Sequence, residues 1–309
     1  MDMKKIFGIL AVISAMLPLG SCQHKELCYD HPHTAELNVV IDWSKSGTPV
    51  QTTMEMILFP PEGGRALHYQ FPDNCGGRVK VPAGNYNALC FNTGSGANRY
   101  SGLDTRFNEF LITTRSSSES EFIPKSDVEE AILEPDVLYG AAIRDYFTVT
   151  GNEERTITFY PVQRTPHYTV IFTNVRNLKY TKGCSATLSS LACGYLLGSD
   201  IPNDSRHVQA FPVHRTEDTT MQGELTVFGH CRPGVTGHYV SVYFLLLDGQ
   251  VVRYDYDVSE KLNDPALTGV MSATIVIDLD IELPKPIVNG SGFQPTVDGW
   301  EDEDIDIIM

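Results

Sequence analysis

The chain has 309 residues and a formal net charge of −16, a length that accommodates two domains of about 100 to 150 residues, each with a core of its own. The acidic balance, with no basic stripe, repels phosphate backbones and anionic headgroups, which excludes nucleic acid as a partner and flat electrostatic docking on a membrane.

In chain order, Lys4 and Lys5 precede an uncharged apolar run over 6–17, and Leu19-Gly20-Ser21-Cys22 follows. The run is shorter than the roughly 20 residues a bilayer span needs, so residues 1–21 read as a secretory signal peptide. Leu-Gly-Ser-Cys resembles the lipobox of bacterial lipoproteins. That resemblance implies that Cys22 is acylated and begins the mature chain, a soluble body tied to the membrane by more than one acyl chain. Gln23 is not the acidic residue associated with inner-membrane retention, so the expected address is the outer membrane, exposed at the surface.

Six cysteines remain, Cys28, Cys75, Cys90, Cys184, Cys193 and Cys231, in a compartment that permits disulfides. No CxxC spacing or zinc-like clustering appears, and buried free thiols and bridges stand as equal alternatives. Residues 22–34 form a polar tether. Its Cys28, His31 and His33 are three candidate metal ligands, but a site needs three or four that converge and no fourth is specified nearby, so no metal site is expected.

From Ala35 the pattern has period two, with Leu37, Val39, Ile41 and Trp43 predicted to face inward. Residues 52–59 form a second strand with Met54, Met56 and Leu58 on one side, stopped by Pro60-Pro61-Glu62-Gly63-Gly64. Residues 76–81 and 85–92 read as a strand and its return, joined by a Pro82-Ala83-Gly84 turn in which Gly84 supplies a positive φ. The glycine-rich stretch 93–98 lacks the Gly-Lys-Ser/Thr of a P-loop and reads as a polar loop. A strand over 107–114 comes next, and 116–134 is expected to be a long exposed loop or a short helix. Residues 138–142, 146–150 and 156–160 return to strand-like composition.

A turn at 161–166 marks the expected domain boundary, after which 168–174 restarts the alternation. The strands 223–228, 239–247 and 251–258 follow, the last two joined by Asp248-Gly249 in the strongest short-range hairpin pattern. Residues 273–283 close the domain with Ile275, Ile277, Leu279, Ile281 and Leu283 facing in. Strands at roughly 10-residue spacing, with no long amphipathic helix, indicate an all-β chain of two β-sandwiches, 35–162 and 163–285. Residues 286–309 are an acidic extension. Its Ile305, Ile307 and Met309 alternate with polar neighbours and suit a strand added to a partner's sheet edge.

The chain resembles the fimbrillin-like (Mfa-type) lipoproteins of Bacteroidetes, and among them the anchor subunits. In the first half the likeness rests on Leu27-Cys28-Tyr29-Asp30-His31-Pro32-His33 behind the lipobox, on Asp42-Trp43-Ser44, and on Val81-Pro82-Ala83-Gly84-Asn85-Tyr86 leading to Cys90-Phe91-Asn92. In the second half it rests on Tyr168-Thr169-Val170, Ala186-Thr187-Leu188-Ser189-Ser190 and Gly223-Glu224-Leu225-Thr226-Val227-Phe228-Gly229. The resemblance implies two tandem transthyretin-like β-sandwich domains in a pilus component whose partners are other pilus subunits. Stalk subunits of this group are trimmed after an arginine, which removes an N-terminal strand. Here no arginine stands between Cys22 and Arg65, and a cut there would remove two strands, which favours an untrimmed anchor.

Catalysis needs a nucleophile with its base, paired carboxylates or a metal cluster, and no recognisable spacing of these occurs, so no enzyme activity, catalytic residue, metal site or cofactor is expected. His207, His214 and His230 are the histidines that a fold would have to bring together, and Asp255, Asp257, Asp278 and Asp280 read as a solvated strand face. The alternative function is a surface lipoprotein that binds glycans or host proteins through loops such as 93–98 or 116–121. Tyr100, Phe107 and Phe110 are the aromatics nearby, and core packing explains the two phenylalanines equally well.

Overall fold

A computed structural model describes residues 34–286 apart from 48–52, 95, 105, 118–122, 128–130, 152, 230–236 and 268. The first half runs through β1 (Thr34–Ile41), β2 (Met54–Phe59), β3 (Leu67–Phe71), β4 (Gly76–Pro82), β5 (Gly84–Asn92), β6 (Asn98–Ser101), β7 (Leu111–Thr114), β8 (Ser116–Ser117), β9 (Ala131–Ile132), β10 (Tyr139–Val149), β11 (Arg155–Phe159) and β12 (Val162–Gln163). The second comprises β13 (His167–Arg176), β14 (Thr181–Ala192), β15 (Gly194–Leu196), β16 (Ile201–Pro202), β17 (Arg206–Arg215), β18 (Met221–Thr226), β19 (Tyr239–Leu246), β20 (Val251–Asp257), a one-turn helix α1 (Ser259–Leu262) and β21 (Ser272–Glu282). The chain is all-β, as its patterning predicts, and among the described residues no helix is long and apolar enough to cross a membrane.

In the first half a sheet ordered β11-β1-β4 faces a sheet ordered β12-β10-β5-β2-β3. Leu37, Val39 and Ile41 of β1 meet Met54, Met56 and Leu58 of β2 across the core, with Phe71, Val81, Tyr86, Phe147 and Phe159 completing it. The period-two alternation thus does what its geometry requires, one face of β1 buried and Glu36 exposed on the other. Trp43 closes the end of this core, its indole Nε1 donating to Asn74 O at 2.7 Å.

The second half curls one sheet, β20-β19-β14-β17-β18-β13-β21, around its own core. Val170 and Phe172 of β13, Val242 and Phe244 of β19, and Ile275 and Ile277 of β21 fill it. The two ends of the sheet meet where Tyr256 Oη of β20 donates to Leu279 O of β21 at 3.0 Å. Both halves share one device. β1 lies between its parallel partner β11 and antiparallel β4, and β13 lies between parallel β21 and antiparallel β18. The opening strand of each half is therefore interior, bonded along both edges.

Three expectations are corrected. β4 and β5 do not pair, because they belong to opposite sheets; the chain crosses the sandwich at Ala83, and Gly84 is not among the positive-φ residues. The described residues of 116–134 are not simply an exposed loop: β9 pairs in parallel with β17 of the second half, Ala131 opposite Val208, β8 pairs with β9, and Lys125–Asp127 form a 3-10 turn. Residues 107–109 form a 3-10 turn before β7.

A further layer was not expected. β16-β15-β7-β6 form a sheet with strands from both halves, and it covers the outer face of β2 and β5. Ile57, Phe59, Leu89 and Phe91 on that face pack against Phe110 and Ile112 of the first half and Ala192, Tyr195, Leu197 and Phe228 of the second. β2 and β5 are buried on both faces, which is why they read as near-continuous apolar runs rather than clean alternations.

Candidate functional site

The residues that the sequence nominates for lipidation, Cys22, and for an assembly strand, Ile305, Ile307 and Met309, lie outside the described residues, as do Cys28, His31, His33, His230 and Cys231. The described residues do contain a built feature of another kind, the seam between the halves.

At its centre is Asp200, held in a left-handed conformation at φ 60°. Arg164 Nη1 pairs with its Oδ1 at 2.8 Å, and Arg144 Nη2 with its Oδ2 at 3.4 Å. Tyr195 Oη donates to Oδ1 at 2.7 Å. Arg144 reaches across because the pairing of β10 with β5 shifts register between Ile143 and Phe147, a bulge that re-aims the intervening side chains. Its Nε also donates to Gly198 O at 3.1 Å. Glycine is needed at 198 because a Cβ there would collide with the Phe107 carbonyl. Glycine is needed at 194 because a Cβ there would strike the Ile112 carbonyl, where β15 pairs with β7. Burial, then the Asp200 carboxylate, pushes the Tyr195 phenol above its ordinary value, so it remains a donor at physiological pH.

A second clamp lies on the outer face of the second-half sheet. Asp127, in the excursion between β8 and β9, accepts from Tyr243 Oη at 2.9 Å and from Arg253 Nη1 at 2.7 Å. Arg253 Nε donates in addition to Asp255 at 2.7 Å. Ile123 and Ala131 pack on Tyr243, and burial followed by the hydrogen bond to Asp127 raises its phenol to about 12. Glu134 Oε1 accepts from Thr226 N at 2.7 Å, one more bond across the seam.

The glycine-rich loop 93–98 folds around a carboxylate of its own chain. Asp136 Oδ2 accepts from Gly96 N, Ala97 N and Asn98 N at 3.2, 3.0 and 3.4 Å. The amides that would cradle an anion are thus taken. His207 and His214 stand seven residues apart on β17, roughly 23 Å along a strand, so they do not converge. His68 bonds Glu55 at 2.9 Å, and buried His238 has its pKa lowered by desolvation. Among the described residues no group of three His, Cys, Asp or Glu side chains is placed to hold a metal ion. Asp255 and Asp280 sit on strand faces paired with Arg253 and Arg176. Cys75, Cys90, Cys184 and Cys193 are free thiols; burial raises Cys90, and raises Cys184 to about 12, so both pack as neutral side chains.

The Asp200 cluster falls inside a known sequence family. The profile of DUF5119, described as a domain of unknown function, matches residues 21–211. The chain belongs to the DUF5119 family. The DUF5119 match begins beside Cys22 and extends across the seam into β17, taking in Arg144, Arg164, Tyr195 and Asp200. This DUF5119 chain is 20% identical to Fim4B of Bacteroides ovatus, named as a candidate fimbrium anchoring subunit, over 96% of each protein. A crystal structure of a candidate adhesin from Bacteroides ovatus has a TM-score of 0.69 at 19% identity, covering 87% of the DUF5119 chain and 99% of the other. The fimbrial anchor protein Mfa2 from Porphyromonas gingivalis has a TM-score of 0.52 at 10% identity, covering 79% and 90%. The likeness to the two solved structures is one of fold, the all-β architecture that the fimbrillin-like resemblance implied.

Proposed function

We propose that this protein is a structural subunit of a cell-surface fimbria, that it serves as the membrane anchor, and that it catalyses no reaction. The near full-length likeness to Fim4B supports the fimbrial reading. The observation that carries the anchor role is the place of β1. It is the central strand of its sheet, Leu37 and Val39 are buried, and the first arginine after Cys22 is Arg65, beyond both β1 and β2. A cut at Arg65 would remove Leu37, Val39, Met54, Met56 and Leu58 from one core, far more apolar area than a folded domain can lose. A subunit that keeps its opening strand keeps its N-terminus, and with it an acylated Cys22 in the outer membrane. Its partners are other pilus subunits, which residues 301–309 reach by adding Ile305, Ile307 and Met309 as a strand to a sheet edge.

Deleting the gene is expected to release fimbriae into the medium, measured by comparing cell-bound and shed pilus material; fimbriae still attached in normal amount would contradict the anchor role. Removing residues 301–309 is expected to leave folding intact and abolish co-purification with other pilus subunits, and undiminished co-purification would contradict the assembly strand.

A further inference from the structure

We infer that a cleft beside the seam is a binding site for a neutral oligosaccharide. The cleft encloses ≈ 770 Å³ and is lined by residues 59–63, 106–109, Asn87 and Arg144, within the size range of small-ligand sites, about 300 to 1,000 Å³. This is a further activity and does not rest on the anchor role, since it uses neither the N-terminus nor the C-terminal extension.

The walls are packed against the fold. Phe107 packs edge-on against buried Phe59, ring centroids 6.0 Å apart at 83°. The 3-10 turn that carries Phe107 is pressed between β5 and Gly198, whose missing Cβ admits the Phe107 carbonyl. Asn87 Nδ2 bonds the Arg144 carbonyl, tying β5 to the bulge of β10 and leaving the Asn87 Oδ1 as an acceptor. Of the three aromatic residues near the loops nominated by the sequence, Phe110 is buried in the third core layer and Tyr100 stacks on it. Phe107 alone lines this cleft, half-buried.

The polar side chains match the chemistry of sugar hydroxyls. Each hydroxyl donates and accepts, and a pair of neighbouring hydroxyls is met by a planar group: a guanidinium gives donors, a carboxylate gives acceptors, an amide gives both. Arg106, Glu62 and Asn108 supply one of each, all exposed at the cleft. Glu62 has no hydrogen bond or ion pair among the described residues, and Arg106 reaches Glu109 only at 3.8 Å. The apolar face of a pyranose ring fits over Phe107 and the neighbouring Pro60 and Pro61. Arg106 and Arg144 balance Glu62 and Glu109, so the site carries no net formal charge. In a chain of net charge −16 this selects a neutral glycan over an acidic one.

The test is titration of the full-length protein with neutral oligosaccharides, namely cellotetraose, maltotetraose, xylotetraose, mannotetraose and N-acetylchitotriose, alongside sialyllactose as the acidic control. At least one neutral probe is expected to bind more tightly than sialyllactose. Arg106→Ala and Asn108→Ala, both exposed, are expected to weaken binding by about tenfold or more each while leaving the thermal unfolding midpoint unchanged. Absence of binding to every neutral probe, or equal binding by both variants, would overturn the inference. Either result leaves the attachment of fimbriae, read in the deletion strain, as a separate question.

Discussion

At the scale of single residues the molecule is organised by two carboxylates, each shared between guanidinium and phenol groups. Asp200 collects Arg144, Arg164 and Tyr195, and Asp127 collects Arg253 and Tyr243. Both sets join segments far apart in sequence, which is why neither could be read from spacing. Asp200→Ala strands two guanidinium groups, the Arg164 side chain being only 22% exposed, and is expected to cost about 1 to 3 kcal/mol in urea unfolding. A loss below a few tenths of a kcal/mol would show that the seam does not depend on it. The phenols set a pH dependence. Tyr243 titrates at 10.0 in the ordinary case and near 12 in the fold. A raised acid keeps its full stabilisation below the unfolded value and loses it as pH climbs, so stability should fall from about pH 10 upward. Tyr195 shifts in the same direction, so Tyr243→Phe is expected to shallow that decline without removing it, as measured by unfolding midpoints from neutral to about pH 11.

At the scale of elements, the legible part of the fold was the part with clean periodicity. β1, β13 and β21 show one face in and one out, and they form as expected, as does the β19–β20 hairpin around Asp248-Gly249. β14 and β17 are among the longest strands and carry no clean apolar alternation in sequence: β14 is buried over adjacent residues and bulges between Leu188 and Leu191, and β17 puts polar Gln209 at a buried position and Pro212 on its outer face. β8, β9, β15 and β16 have two or three residues each, too few for any period to show. The layer that β15 and β16 help to build was signalled instead by the second apolar face of β2 and β5, which a two-sheet reading leaves without a partner. Within this layer Phe91→Ala, at a fully buried position, is expected to cost about 3 to 5 kcal/mol. Gly198→Ala is expected to cost about 1 to 3 kcal/mol through its clash with Phe107.

The division into 35–162 and 163–285 is a proposal about folding units, and this layer sets its consequence. The sheet β16-β15-β7-β6 and the β9–β17 pair bond the two halves through the backbone, so the halves are expected to unfold together. A single coincident transition by circular dichroism and tyrosine fluorescence is the predicted outcome, and Phe91→Ala should lower it as one. Two separated transitions would contradict the coupling.

At the scale of the whole molecule, charge and strand periodicity indicate an acidic body of all-β architecture, and the structure adds how that body is held together. A seam of backbone pairing, ion pairs and a third core layer joins the two halves. The anchor role rests on the opening strand staying in place, so the N-terminus of the mature protein decides it. Intact-mass measurement of the protein from native outer membranes, paired with surface protease accessibility on whole cells, tests this most directly. The account predicts a mature chain beginning at an acylated Cys22 and accessible at the cell surface. A mature N-terminus after Arg65, or a Cys22 without lipid, would contradict it.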